Sequence, residues 1–120
     1  MNRRRVLIVD NDEDALIALE RTLEEQGFDT EVSWDLNQAI KEMEDEEFDA
    51  VLVGDHPPDL NCEKLLKRLR EMQVHKPCIV LHSSARYPFS EQYLYYLGAS
   101  GIACKWDFAG VSERLKQSLN

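Results

Sequence analysis

At 120 residues and 43% apolar content, the chain is close to the common size of one domain and can fill one core without cross-links or a structural metal, which leaves little room for a second domain. The formal net charge of -9 argues against nucleic acid as a direct partner, because nonspecific affinity for it comes from clustered Lys and Arg. Cys62, Cys78 and Cys104 are odd in number, widely spaced and without a CxxC pair, which argues against both a disulfide framework and a zinc site.

Of the 23 acidic residues, 16 fall in the first fifty positions, including the run Glu44 to Glu47; the plain reading of that run is a solvated helix face. Lys64, Lys67, Arg68, Arg70 and Lys76 gather later, giving the surface two signs that can orient a partner. Arg3, Arg4 and Arg5 precede the apolar run Val6 to Val9, which is far too short for a signal peptide or a membrane span. The chain reads as cytosolic, with no membrane partner.

In chain order, Val6-Leu7-Ile8-Val9 is a continuous branched and aliphatic run, as expected of a strand buried on both faces of a parallel sheet. From Asp12 to Gln26, Leu16, Leu19 and Leu23 recur at helical spacing, early acids suit the helix start, and Gly27 suits its end. Thr30 to Trp34 is a short second strand. Asp35 then caps a helix whose stripe is Leu36, Ala39, Ile40 and Met43.

Ala50-Val51-Leu52-Val53 is the third strand, and Pro57 and Pro58 break the chain after it. Leu65, Leu66, Leu69 and Met72 mark a third helix that ends before Pro77, and Cys78-Ile79-Val80-Leu81 is the fourth strand. Tyr93, Tyr96 and Leu97 form the inward side of a short fourth helix stopped by Gly98. Ile102 to Cys104 is a fifth strand, and Phe108, Val111, Leu115 and Leu119 belong to a closing helix. Strands alternating with helices, without linker or repeat, imply one α/β domain over residues 1–120 whose parallel sheet is covered on both sides.

Any ligand should sit beyond the carboxyl ends of the strands. Those ends carry Asp10, Asn11 and Asp12, then Gly54 and Asp55, then His82 and Ser83, and finally Lys105. Clustered oxygen donors can hold a hard divalent ion such as Mg²⁺, and a lysine can pair with a carboxylate or a phosphoryl group. The plainer alternatives are that Asp10 and Asp12 only cap the first helix and that Lys105 pairs with Asp10 to tie strand ends together.

The chain resembles the receiver domains of two-component response regulators over nearly its whole length. Val-Asp-Asn-Asp at 9–12 is similar to their acidic pair, and Phe48 to Val53 to their third strand. Pro58-Asp59-Leu60-Asn61 resembles the turn after the phosphoacceptor, Lys76 to Leu81 the fourth strand, and Gly98 to Lys105 the fifth strand with its lysine. The resemblance implies a flavodoxin-like doubly wound sheet of five strands in the order 2-1-3-4-5 with five helices. It also implies Mg²⁺ at the acidic pair, a hydroxyl residue and Lys105 on a phosphoryl group, and a sensor kinase or downstream effector as partner.

With Asp49 and Pro58 in register, the phosphoacceptor position falls on Gly54, and Asp55 comes one residue late. Strand side chains alternate faces, so Asp55 should point away from the other groups unless the backbone bulges. Asn11 offers a metal a carbonyl but no charge, so Mg²⁺ binding is expected to be weak at best. His82 holds the usual hydroxyl position with Ser83 beside it, Cys62 replaces a customary glycine, Ile102 a switching aromatic, and Trp106 a proline.

Seven of the ten aromatic residues lie between 87 and 108, and Tyr95, Tyr87 and Trp106 among them are expected at the surface, where aromatics mark interfaces. The sequence thus suggests an atypical receiver, not an enzyme, that works through protein contacts as a monomer or as a homodimer through the fourth helix, fifth strand and fifth helix. The alternative is a Mg²⁺-dependent receiver that is phosphorylated on Asp55 with help from Asp10, Asn11 and Lys105. A flavodoxin-like cofactor enzyme shares the element order, but the acidic loop Asp10 to Asp14 would repel a cofactor phosphate.

Overall fold

The computed structural model describes residues 3–54, 62–82 and 90–120. Strands β1 (Arg5–Val9), β2 (Asp29–Ser33), β3 (Ala50–Gly54), β4 (Cys78–His82) and β5 (Gly101–Cys104) form one sheet in the order β2-β1-β3-β4-β5, and every pairing is parallel. Between and after them run α1 (Glu13–Glu25), α2 (Leu36–Asp45), α3 (Cys62–Glu71), α4 (Glu91–Leu97) and α5 (Phe108–Leu119). This is the flavodoxin-like architecture that the sequence implies.

Apart from Arg5 and His82 at their ends, the three central strands are apolar because both faces of the sheet are covered, and alternation sorts their residues into two cores. Val6, Ile8, Ala50, Leu52, Ile79 and Leu81 pack with Leu16, Leu19 and Leu23 of α1 and with Val111 and Leu115 of α5. Leu7, Val9, Val51, Val53 and Val80 face the other way, against Ala39, Leu65, Leu66, Leu69, Leu94 and Leu97 of α2, α3 and α4. Each aliphatic side chain fully removed from water in this way contributes about 1.5–3 kcal/mol, which makes the two layers the main source of stability.

Helix starts follow the capping chemistry in the sequence: the side chains of Asp12, Asp35, Ser90 and Asp107 each accept a backbone N–H from three residues on. The C-cap of α4 is Gly98 at φ 112°, a left-handed conformation that a side chain would strain. The second strand begins one residue earlier than its pattern suggests and ends at Ser33, so Trp34 lies outside it, 46% exposed.

One inward assignment is corrected. Tyr96 is 72% exposed, and the buried pair of α4 is Leu94 and Leu97, with Tyr93 half-buried on the flank. Tyr93 and Tyr96 share the same three-residue spacing as Leu94 and Leu97, but a seven-residue helix buries only one such pair, and the aliphatic one wins. Tyr96 instead stacks on Tyr93 with ring centroids 6.5 Å apart and lies under the Arg70 guanidinium.

A candidate site filled by an ion pair

The alternation that sorts the core also sets the phase of the strand ends. Asp10 continues the Val6–Ile8 series, Gly54 the Ala50–Leu52 series and Lys105 the Ala103 series, so all three belong to the face covered by α1 and α5. His82 continues the Cys78–Val80 series and belongs to the opposite face; its carbonyl accepts the Lys105 backbone N–H at 2.9 Å. Asp55, Ser83 and Tyr87 lie outside the described residues.

Asp10 and Lys105 are both entirely buried, and Lys105 Nζ stands 2.9 Å from Asp10 Oδ2. The pair is held by opposite charge at close range. Asp10 Oδ1 accepts the Asp12 N–H at 2.9 Å, which fixes the carboxylate from its other side. Asp12 Oδ1 caps α1 through Ala15 N–H at 3.2 Å, while its Oδ2 lies 4.0 Å from Lys105 Nζ. Capping and ion pairing therefore occur in the same cluster.

Gly54 leaves the space that the carboxylate fills. A Cβ built on Gly54 would lie 2.6 Å from Asp10 Cγ and would overlap Oδ2, closer than real Cβ contacts come. Asp10 thus occupies the volume where a side chain at position 54 would begin, and it presents its charge to Lys105 from there.

Among the described residues, the carboxylate oxygens of this cluster already have partners. Both oxygens of Asp10 are engaged, one with Lys105 and one with the Asp12 N–H. Asn11 Oδ1 is a buried acceptor with no hydrogen-bond partner among the described residues, but it is a carbonyl without charge. Among the described residues, no group of three His, Cys, Asp or Glu side chains could hold a metal.

The sequence reading raised the ion pair as one alternative for Lys105, but it gave no sign that Asp10 fills the Gly54 space; only three-dimensional register reveals it. Two of the surface aromatics it named are where it put them, with Tyr95 46% and Trp106 45% exposed. Trp106 meets Phe108 edge to face at 6.2 Å. No described helix is long and apolar enough to cross a membrane. Between α3 and α4, the Tyr93 hydroxyl donates to Glu63 at 2.5 Å, and Lys67 lies 3.1 Å from Glu63. This hydrogen bond pulls the Glu63 carboxyl below its ordinary range and pushes the Tyr93 phenol above its own.

The family model of the response regulator receiver domain matches residues 6–109. Among curated proteins, the chain is 35% identical over 81 residues to the sensory/regulatory protein RpfC of Xanthomonas campestris, a match covering 64% of this chain and 11% of that protein. It is 28% identical over 78 residues to the alkaline phosphatase synthesis transcriptional regulatory protein PhoP of Bacillus subtilis, covering 65% of this chain and 32% of that protein. The chain thus spans a third or less of these relatives. Among solved structures, chemotaxis protein CheY4 of Vibrio cholerae superposes with a TM-score of 0.88 at 21% identity, covering 98% of this chain and 100% of that one. The Thermotoga maritima response regulator TrrA, solved in complex with Mg²⁺ and BeF, superposes at 0.84 with 20% identity, covering 97% and 99%.

Proposed function

The chain belongs to the response regulator receiver domain family, the receiver module of two-component signalling, and on that premise we propose that it is an atypical member that signals through protein contacts without phosphorylation at position 54. The observation that carries this reading is the Asp10 carboxylate lying in the space that a residue-54 side chain would need, paired there with Lys105. In such a site the lysine already has its counter-ion. The cluster is therefore a fixed structural tie between the ends of β1 and β5 rather than a centre awaiting a phosphoryl group.

The phase of β3 supports the same reading, since position 54 shares the face of Asp10 and Lys105. Mg²⁺ has no role in this account, given the engaged carboxylates and the uncharged Asn11. The working parts are then surfaces. Tyr95, Tyr96 and Trp106, all exposed, favour a contact on the side of α4, β5 and α5 with a protein partner such as a sensor kinase or downstream effector.

The test is intact-mass analysis after incubation with acetyl phosphate and Mg²⁺, run on the native chain and on Asp55→Ala. This reading expects no added phosphoryl mass in either. A Mg²⁺-dependent gain that disappears in Asp55→Ala would establish Asp55 as a displaced acceptor and end the reading.

A further inference from the structure

The outward face of α1 is charged at Glu13, Asp14, Arg21, Glu24 and Glu25, yet Ile17 stands among them 51% exposed. Trp34, just past the end of β2, is 46% exposed. Both line one groove of about 350 Å³ between α1 and β2, together with Val32. Among the described residues, the groove's other lining includes Glu13, Glu20 and Glu31 and no Lys or Arg, while Arg3 and Arg21 lie with Ile17 and Glu20 in the adjoining recess. β2 is also an edge strand: among the described residues it pairs with β1 alone.

These features point one way. Ile17 has no polar atom to justify exposure on a charged helix face, and an aliphatic beside an indole gives a partner side chain something to bury against. The acids are crowded: burial, then Glu24 and Glu31, hold the Glu20 carboxyl above its ordinary range, although a Thr30 hydrogen bond partly offsets this. Arg5 lies 3.8 Å from Glu31 but is also shared with Glu46 at 3.1 Å, so compensation at the groove is incomplete. A cation from outside would relieve the crowding.

We infer that the groove between α1 and edge strand β2 docks a basic segment of a partner protein, which seats an apolar side chain against Ile17 and Trp34 and sets Lys or Arg beside Glu13, Glu20 and Glu31. A second copy of the chain is disfavoured by the net charge of -9 on each copy and would have to present its own basic residues around Lys64 to Lys76. The inference rests on the docking reading above, and it uses a different part of the surface from Tyr95, Tyr96 and Trp106.

The test uses the full chain, labelled with ¹⁵N, and a short capped peptide with two leucines set among lysines, alongside the same peptide with glutamate for lysine. The lysine peptide is expected to shift the Trp34 indole and the amides of α1 and β2. Ile17→Ser, at an exposed position where folding is not at stake, is expected to weaken binding by about tenfold or more. Glu13→Gln together with Glu20→Gln is expected to weaken it further and flatten its salt dependence. Several results would overturn the inference: no shift at Trp34, shifts confined to Trp106 and its neighbours, equal binding of the glutamate peptide, or concentration-dependent shifts without peptide, which would mean that a second copy covers the groove. Phosphorylation in the mass assay would end the phosphate-independent reading and leave this surface standing; a silent Trp34 would do the reverse.

Discussion

Asp10 and Lys105 meet at 2.9 Å between the ends of β1 and β5, both wholly buried, with Asp10 in the volume that Gly54 leaves open. Removing one member leaves the other's charge in the interior, with Lys105 keeping the Asp12 carboxylate at 4.0 Å when Asp10 is lost, a loss of about 3–5 kcal/mol. Asp10→Asn and Lys105→Met should each fall in that range in urea denaturation. The double variant should lose clearly less than the sum, because it leaves no unpaired charge.

Gly54 is constrained by contact and not by backbone conformation. Gly54→Ala should destabilise by about 1–3 kcal/mol, since its methyl group can be seated only if the Asp10 carboxylate moves. Gly54→Asp should be destabilised in buffer and then gain melting temperature with added Mg²⁺, because the new carboxylate competes for Lys105 and frees Asp10 as a donor. The native chain's melting temperature should not respond to Mg²⁺.

The Tyr93–Glu63 bond joins α4 to α3 and gives stability a two-sided pH window. Glu63 is depressed in the fold, so its contribution holds above the ordinary carboxylate range and is lost as pH falls through the depressed value. Tyr93 is raised, so its contribution holds below the ordinary phenol range and is lost as pH climbs through the raised value. Thermal melts of native chain and Tyr93→Phe should therefore differ at neutral pH and converge at both extremes.

Cys62 and Cys78 are buried and Cys104 is half-buried. Burial, with Cys62 nearby, pushes the Cys78 thiol up to about 12, so it is almost entirely protonated at neutral pH. A thiol reagent at neutral pH should label Cys104 first in the folded chain, and all three only after denaturant is added. Peptide mapping of the labelled protein checks the order.

The sheet was legible because parallel strands covered on both faces must be apolar without interruption, as Val6 to Val9 and Ala50 to Val53 are. Caps were legible because Asp12 and Asp35 act on backbone groups within a few residues. Spacing could not distinguish Tyr96 from Leu94, since both satisfy a three-residue repeat and only the packing of a short helix decides between them. The exposed pairing of Ile17 with Trp34 likewise depends on where α1 lies against β2. Gly54 could be read as a gap in the receiver pattern, but its occupation by Asp10 brings together residues 44 positions apart in the chain and follows from strand register alone.

The most direct test of the account is the mass of the native chain after acetyl phosphate and Mg²⁺, with Gly54→Asp treated in parallel. The account predicts an unchanged mass for the native chain. A stoichiometric, Mg²⁺-dependent phosphoryl gain on the native chain, abolished by Asp55→Ala, would contradict it.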